Sequence, residues 1–204
     1  MRILFASFAA FIVCGTVSSP MVSSPAWADD PVDPPAASAP VPTTKAARLD
    51  QLFSDLKRER NEKAAERIAG RIWGEWSQSG SASIDLMMQW SQKAIEDQKY
   101  DVALDFLDQV VTLQPDYAEG WNRRATVHFL MKNFGKSMSD INQTLRLEPR
   151  HFGALSGLAQ IMAATGHKQS ALEAWQKVLA IYPMMRNAQD QVATLSEELA
   201  GEGI

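Results

Sequence analysis

The sequence predicts an all-α protein assembled as an array of stacked helix pairs. Three observations lead there. Pro115, Pro149 and Pro183 are spaced by 34 and 34 residues, whereas the seven other prolines all lie before residue 45. Between these prolines apolar residues recur at helical spacing. Large and small side chains also alternate in the same order from one 34-residue block to the next. A fixed period of this length marks a repeat array, in which neighbouring units share faces that none could bury alone.

The N-terminus reads as an address. Arg2 supplies a positive end, Ile3 to Val17 is an apolar stretch of 15 residues, and Ala26-Trp27-Ala28 places small residues where a signal peptidase reads. Fifteen residues fall short of the ~20 that cross a bilayer core, so residues 1–28 are expected to be a cleaved signal peptide. Cleavage after Ala28 leaves no stable membrane span. The residues before Cys14 are not a lipobox, and no twin arginine is present, which points to the general secretion route and a Gram-negative periplasm. Residues 29–44 contain five prolines and no aromatic residue. Such a segment favours extended polyproline II and is expected to be a disordered linker.

Helical patterning begins at Lys45. Ala46, Leu49, Leu52, Phe53 and Leu56 share one face, and a second helix from about Glu62 to Ser77 carries Ala65, Ile68, Ala69, Ile72, Trp73 and Trp76. Residues 45–83 thus form a helix pair without a closing proline, expected as a degenerate opening unit. Blocks 84–117, 118–151 and 152–185 follow in register. The fourth places are Met87, Trp121 and Leu155; the eighth are Ser91, Ala125 and Ala159; the twentieth are Ala103, Ser137 and Ala171. Small residues at the last two sets let helices approach closely. Proline ends the second helix of each block because it cannot extend the hydrogen-bond ladder. Asp116 with Glu119 is expected to form a capping box, and Gly166 a left-handed turn residue. Residues 186–204 supply a last helix with a narrow stripe of Ala188, Val192, Leu195 and Leu199. One polar side on that helix suits the end of an array. Nine helices are expected in all.

In size alternation, period and closing proline the three blocks resemble the tetratricopeptide repeat (TPR) family, over about 102 residues in register or about 140 with the opening pair. The resemblance implies a right-handed α-solenoid of helix pairs with a C-terminal capping helix. It also implies a concave face lined by the first helix of each repeat, where partner peptides are held. The second, fifth, sixth, ninth and twelfth places point into that face. Met88, Gln89, Gln92, Asn122, Arg123, Thr126, Phe129 and Gln160 are accordingly the candidate partner-binding residues. Amide side chains can bond a peptide backbone and arginine can grip a carboxylate. Family members that clamp a C-terminal carboxylate use lysines where this chain has Gln89 and Gln92, so an isolated cationic anchor at Arg123 is expected. Small residues of the third repeat (Gly153, Ser156, Gly157) leave room for a bulky apolar side chain.

Other chemistries find little footing. The charge is −4 with acidic and basic residues interspersed, and no basic cluster tracks a phosphate backbone, so nucleic acid is not the expected partner. Cys14, the single cysteine, lies inside the signal, which removes disulfides and thiolate metal sites from the processed chain. His128, His151 and His167 fall in three repeats without metal-ligand spacing. His128 stands at an aromatic's place and is expected to pack; His151 and His167 are expected to be solvated. No catalytic signature, metal or cofactor is called for. Arg124 occupies a place normally apolar, and is expected to bond a carboxylate such as Asp140 or to lie against the ring of Trp90. The function expected is an exported adaptor binding a protein or peptide partner of unknown identity, in a cell-envelope process. The alternative is a scaffold that forms homo-oligomers through Ile72, Trp73 and Trp76; an enzyme or small-molecule binder has no motif behind it.

Overall fold

Thr44 accepts a hydrogen bond from the Ala47 N–H at 3.1 Å and so opens the first helix of the computed structural model. The structure describes residues 44–201; the signal and all but the last residue of the linker lie outside them. Among the described residues there are nine α-helices and no strand. They are α1 (Lys45–Arg58), α2 (Glu62–Ser77), α3 (Ala82–Glu96), α4 (Tyr100–Leu113), α5 (Ala118–Leu130), α6 (Phe134–Leu147), α7 (Phe152–Ala164), α8 (Lys168–Ile181) and α9 (Arg186–Gly201). No described helix is long and apolar enough to cross a membrane.

From α3 onward the elements keep the 34-residue register. Helices α4, α6 and α8 end at Leu113, Leu147 and Ile181, and each is followed by one capping residue and then the proline. The eighth and twentieth places are almost fully buried in all three repeats. There Ser137 donates its hydroxyl proton to the Ala125 carbonyl at 2.8 Å, which satisfies a hydroxyl inside the α5–α6 contact. Helix α9 lies on α8 and buries Ala188 and Leu195.

The fifteenth places share a backbone conformation that the sequence showed in one repeat alone. Gly166 has φ +80°, and Gln98 and Lys132 have φ 58° and 59°. All three close the turn between the two helices of a repeat. A side chain in the left-handed region costs about 1–2 kcal/mol where glycine costs nothing sterically.

The opening pair departs from expectation. It does not stack before α3 as the first unit of the array. Instead α1 packs on α8 and α2 on α5. Leu49, Leu52, Phe53, Leu56, Ala65, Ala69, Ile72 and Trp76 join one core with Phe152, Leu155, Trp175, Val178, Tyr182 and Leu195. Polar contacts follow the same path. Tyr117 donates its hydroxyl to the Ser77 carbonyl at 3.0 Å, Arg150 bonds Asp50 at 2.7 Å while its guanidinium lies 4.2 Å over Phe53, and Arg186 bonds Glu62 at 2.9 Å. The loops that join one repeat to the next therefore form the shelf on which the hairpin sits. The physical reason is the strength of the apolar face: full burial of an isoleucine or tryptophan contributes about 2–3 kcal/mol, and a hairpin with such a face docks where matching apolar surface is available. Ile72 and Trp76, expected as a surface for self-association, are thereby consumed inside the chain, 0% and 5% exposed.

Replacing both Gln98 and Lys132 by glycine should raise stability by about 0.5 kcal/mol per site, after allowing for glycine's larger unfolded-state entropy. Thermal melting of the double variant should show a midpoint about 2–4 °C higher; an unchanged or lower midpoint would mean that these turns carry no strain.

Candidate inner face of the array

The first helices α3, α5 and α7 line one side of the array, and the second and sixth places bring a buried ionic cluster to it. Glu119, in the first turn of α5, is 2% exposed. Its Oε2 accepts from the Asn122 amide at 2.9 Å and faces His151 Nε2 at 3.3 Å, and its Oε1 accepts from Arg123 at 3.0 Å. His151 Nδ1 accepts from the Ala154 N–H at 3.1 Å, capping α7. The proton of the ring then resides on Nε2, directed at the carboxylate. On the other face of that imidazole, the Trp76 indole stacks at 4.0 Å with an interplanar angle of 7°. Burial pushes the Glu119 carboxyl upward, and the bonds from His151 and Arg123 outweigh it, holding the group below the usual glutamate range.

This cluster corrects two expectations. Asp116 and Glu119 do not form a capping box: Tyr117 is the N-cap of α5 and makes no side-chain cap bond, because the Glu119 side chain turns to Asn122, Arg123 and His151 instead. His151 is not solvated but fully buried. Its place near a helix end puts it under the docked α2, a contact that no local pattern reveals. His128 is buried, as expected of a packing residue, and burial holds its imidazole below the usual range. His167 is exposed.

The eight candidate residues divide between two clefts. Met88, Gln89, Gln92 and Arg123 line a cleft of about 480 Å³ together with Ser77, Asp85, Lys93, Glu96 and Tyr117. Asn122, Thr126, Phe129 and Gln160 line a smaller one of about 140 Å³ with Gly153 and Gly157. Gln89, Thr126 and Gln160 are exposed, whereas Met88 and Asn122 are buried. Arg123 is not a free cation in this face. It spans from Glu119 to Gln92, whose side-chain carbonyl it reaches at 2.7 Å.

The space left by the third repeat is filled from within. A Cβ on Gly153 would lie 2.7 Å and 2.8 Å from ring carbons of Trp73 on α2. Trp73 in turn meets Phe152 and Trp76 edge-on, at 5.6 Å and 5.2 Å. The bulky side chain for which Gly153 leaves room is thus the chain's own. Trp73 and Glu119 are the residues of this region that sequence reasoning gave other duties. The glycine at a second place, where the other two repeats have Asp85 and Glu119, was the available signal.

Arg124 behaves as a structural residue. It bonds Asp140 through two nitrogens at 2.7 Å and 2.8 Å and Asp108 at 2.8 Å. The hydrogen bond to Asp140 raises its pKa above the ordinary arginine value. The ring beneath its guanidinium is Trp121, at 4.8 Å, and not Trp90. Among the described residues no group of three or more His, Cys, Asp or Glu side chains could hold a metal ion.

Helix pairs in 34-residue register, with small residues at the eighth and twentieth places and a lined inner face, define an α-solenoid of the tetratricopeptide type. No family model matches the chain. A TPR repeat-containing protein of Rhizobium etli is 58% identical over 154 residues, covering 76% of each chain. The chain belongs to the family of TPR repeat-containing proteins. Among solved structures, the first TPR domain of Spaghetti (RPAP3), bound to an HSP90 peptide, superposes with a TM-score of 0.56 at 23% identity, over 59% of this chain and 95% of that one. The TPR2B domain of yeast Sti1, in complex with an Hsp70 peptide, gives 0.54 at 16% identity over 58% and 99%. Both share the fold.

Glu119→Gln should destabilise the protein by about 2–4 kcal/mol at neutral pH, since the new amide confronts the donors of Asn122, Arg123 and His151. Because the folded-state pKa of Glu119 is depressed, its contribution is present above the unfolded value of 4.5 and lost as pH falls through the folded value. Denaturant titrations across pH should therefore show the gap between wild type and variant closing in acid. Gly153→Ala should cost about 1–3 kcal/mol through overpacking against Trp73, and Trp73→Leu should recover most of it. Additive losses in that double-mutant cycle would contradict the contact.

Proposed function

We propose that the protein is an exported adaptor that holds a short segment of a partner protein on the inner face of its repeats, in a cell-envelope process. The observation that carries this reading is the pair of clefts on one face, in which amide side chains alternate with apolar ones. Gln89 and Gln160, both exposed, offer donors and acceptors to an extended backbone, while the partly exposed Phe129 offers apolar contact beside them. The structural neighbours that carry HSP90 and Hsp70 peptides lend the same reading support.

Two features shape the ligand. Arg123 is committed to Glu119 and Gln92, so recognition rests on backbone amide bonds and apolar side chains rather than on a C-terminal carboxylate. Trp73 over Gly153 closes part of the third repeat's share of the face, which restricts the segment to the first two repeats and the small cleft beside Gln160. Export is supported by the charged end, apolar stretch and Ala26-Trp27-Ala28 of the N-terminus.

A photo-crosslinking residue placed at Gln89 or Gln160, both exposed, should trap a partner in intact cells, on a chain whose mass begins at Asp29. Gln89→Trp and Thr126→Trp, which fill the clefts without touching the ionic cluster, should lower trapping at least about tenfold, the effect of losing ~1.4 kcal/mol of binding. Equal trapping by folded variants would remove the inner face from consideration, and a mass that begins elsewhere would remove the cleavage site.

A further inference from the structure

We propose that the outer side of the α3–α4 pair is a docking face for a second copy of this chain, the two copies meeting through the same face across a two-fold axis. The register of the repeats identifies it. Third and seventh places of a repeat look toward the preceding helix pair. In the second repeat they are Gly120, where a Cβ would lie 2.7 Å from Val110 of α4, and Arg124, which bonds Asp108 of α4. In the third they are the buried Ala154 and the partly buried Leu158, in one apolar cluster with Leu145 of α6. In the first repeat the same two places hold Leu86 and Trp90, which are 42% and 48% exposed.

Helix α4 continues this surface. Phe106 lies 5.4 Å from the Trp90 ring, and these two residues stand at the places where the second repeat has the Arg124–Asp140 ion pair. Val102, which lines one cleft with Trp90 and Phe106, is 43% exposed. The helix pair that precedes α3 in sequence docks on α5 and α8 instead. The first repeat therefore carries interior-type apolar residues at an end of the array that the hairpin does not cap, where solenoids ordinarily place polar ones.

Two features name a second copy as the occupant. At the rim Lys93 and Lys99 both bond Asp97 within the chain, at 2.7 Å and 3.5 Å, which leaves no single-sign field to recruit a strongly charged partner. Across a two-fold axis the same lysines and aspartate of two copies can share one another without like charges being opposed. At the far end, α9 leaves Gln189, Asp190 and Glu197 exposed, so head-to-tail stacking finds no apolar counterpart. The contact is isologous and closes at two copies. A layer of two helices of ~15 residues presents a face of roughly 22 by 20 Å, at the small end of specific interfaces. Contacts of this size are of the weak, reversible class, and association in the micromolar range is the expectation, set by how Trp90 and Phe106 pack rather than by area.

Sedimentation velocity on the purified protein from about 1 to about 200 μM, a range that brackets this affinity, is the test. Wild type should pass from monomer to dimer, and Trp90→Glu should stay monomeric at concentrations at least about tenfold higher. Leu86→Glu should behave likewise, and decides the matter if Trp90→Glu does not melt like wild type. A wild type that remains monomeric throughout overturns the proposal. So does a dimer that survives both substitutions, or a series of species larger than dimer.

Discussion

A 34-residue helix pair carries apolar surface on more than one side, and no such pair can cover itself. Every feature of this molecule is a solution to that constraint. Between repeats the solution is register: small residues at the eighth and twentieth places bring helices close enough to bury Leu107, Ile141 and Trp175. At the C-terminal end α9 supplies one apolar stripe and a polar exterior. The hairpin α1–α2 solves its own problem by lying against the loops between repeats and merging its core with that of α7, α8 and α9.

That docking is what turns a periodic array into an individual protein. Trp76 stacked on His151 ties the hairpin to the N-terminus of α7, and His151 carries the link to Glu119 and so to Asn122 and Arg123. A carboxylate that is almost wholly buried is tolerable only because three donors surround it. The residues of the inner face are consequently held in one arrangement by the same network that holds the hairpin. Preorganisation of this kind lowers the entropic cost of holding a ligand. It also means that changes to the hairpin and changes to the inner face are not independent.

Placing the hairpin there leaves the outer side of α3–α4 without the neighbour that its third, seventh and twenty-third places are built to meet. The contrast between Trp90–Phe106 and Arg124–Asp140 is informative because both pairs occupy equivalent positions. Inside the array, an ion pair with a second acceptor on the preceding helix serves. At the end, two aromatic rings stand partly in water.

Period, proline placement and size alternation by themselves determined the helices, their order and the way successive repeats stack, because those are properties of residues a few positions or one repeat apart. The resemblance to the TPR family placed the candidate residues on the first helices, and the normally apolar place of Arg124 called for a partner, with Asp140 and the ring of Trp90 both open. Only the tertiary structure decided where the opening hairpin lies, since an amphipathic pair can dock on any matching apolar surface and its own pattern does not name which. From that one choice follow the burial of His151, the filling of the space over Gly153 by Trp73, and the exposure of Trp90. Each depends on residues 30 to 100 positions apart, and contacts at that range leave no periodic trace in a single chain.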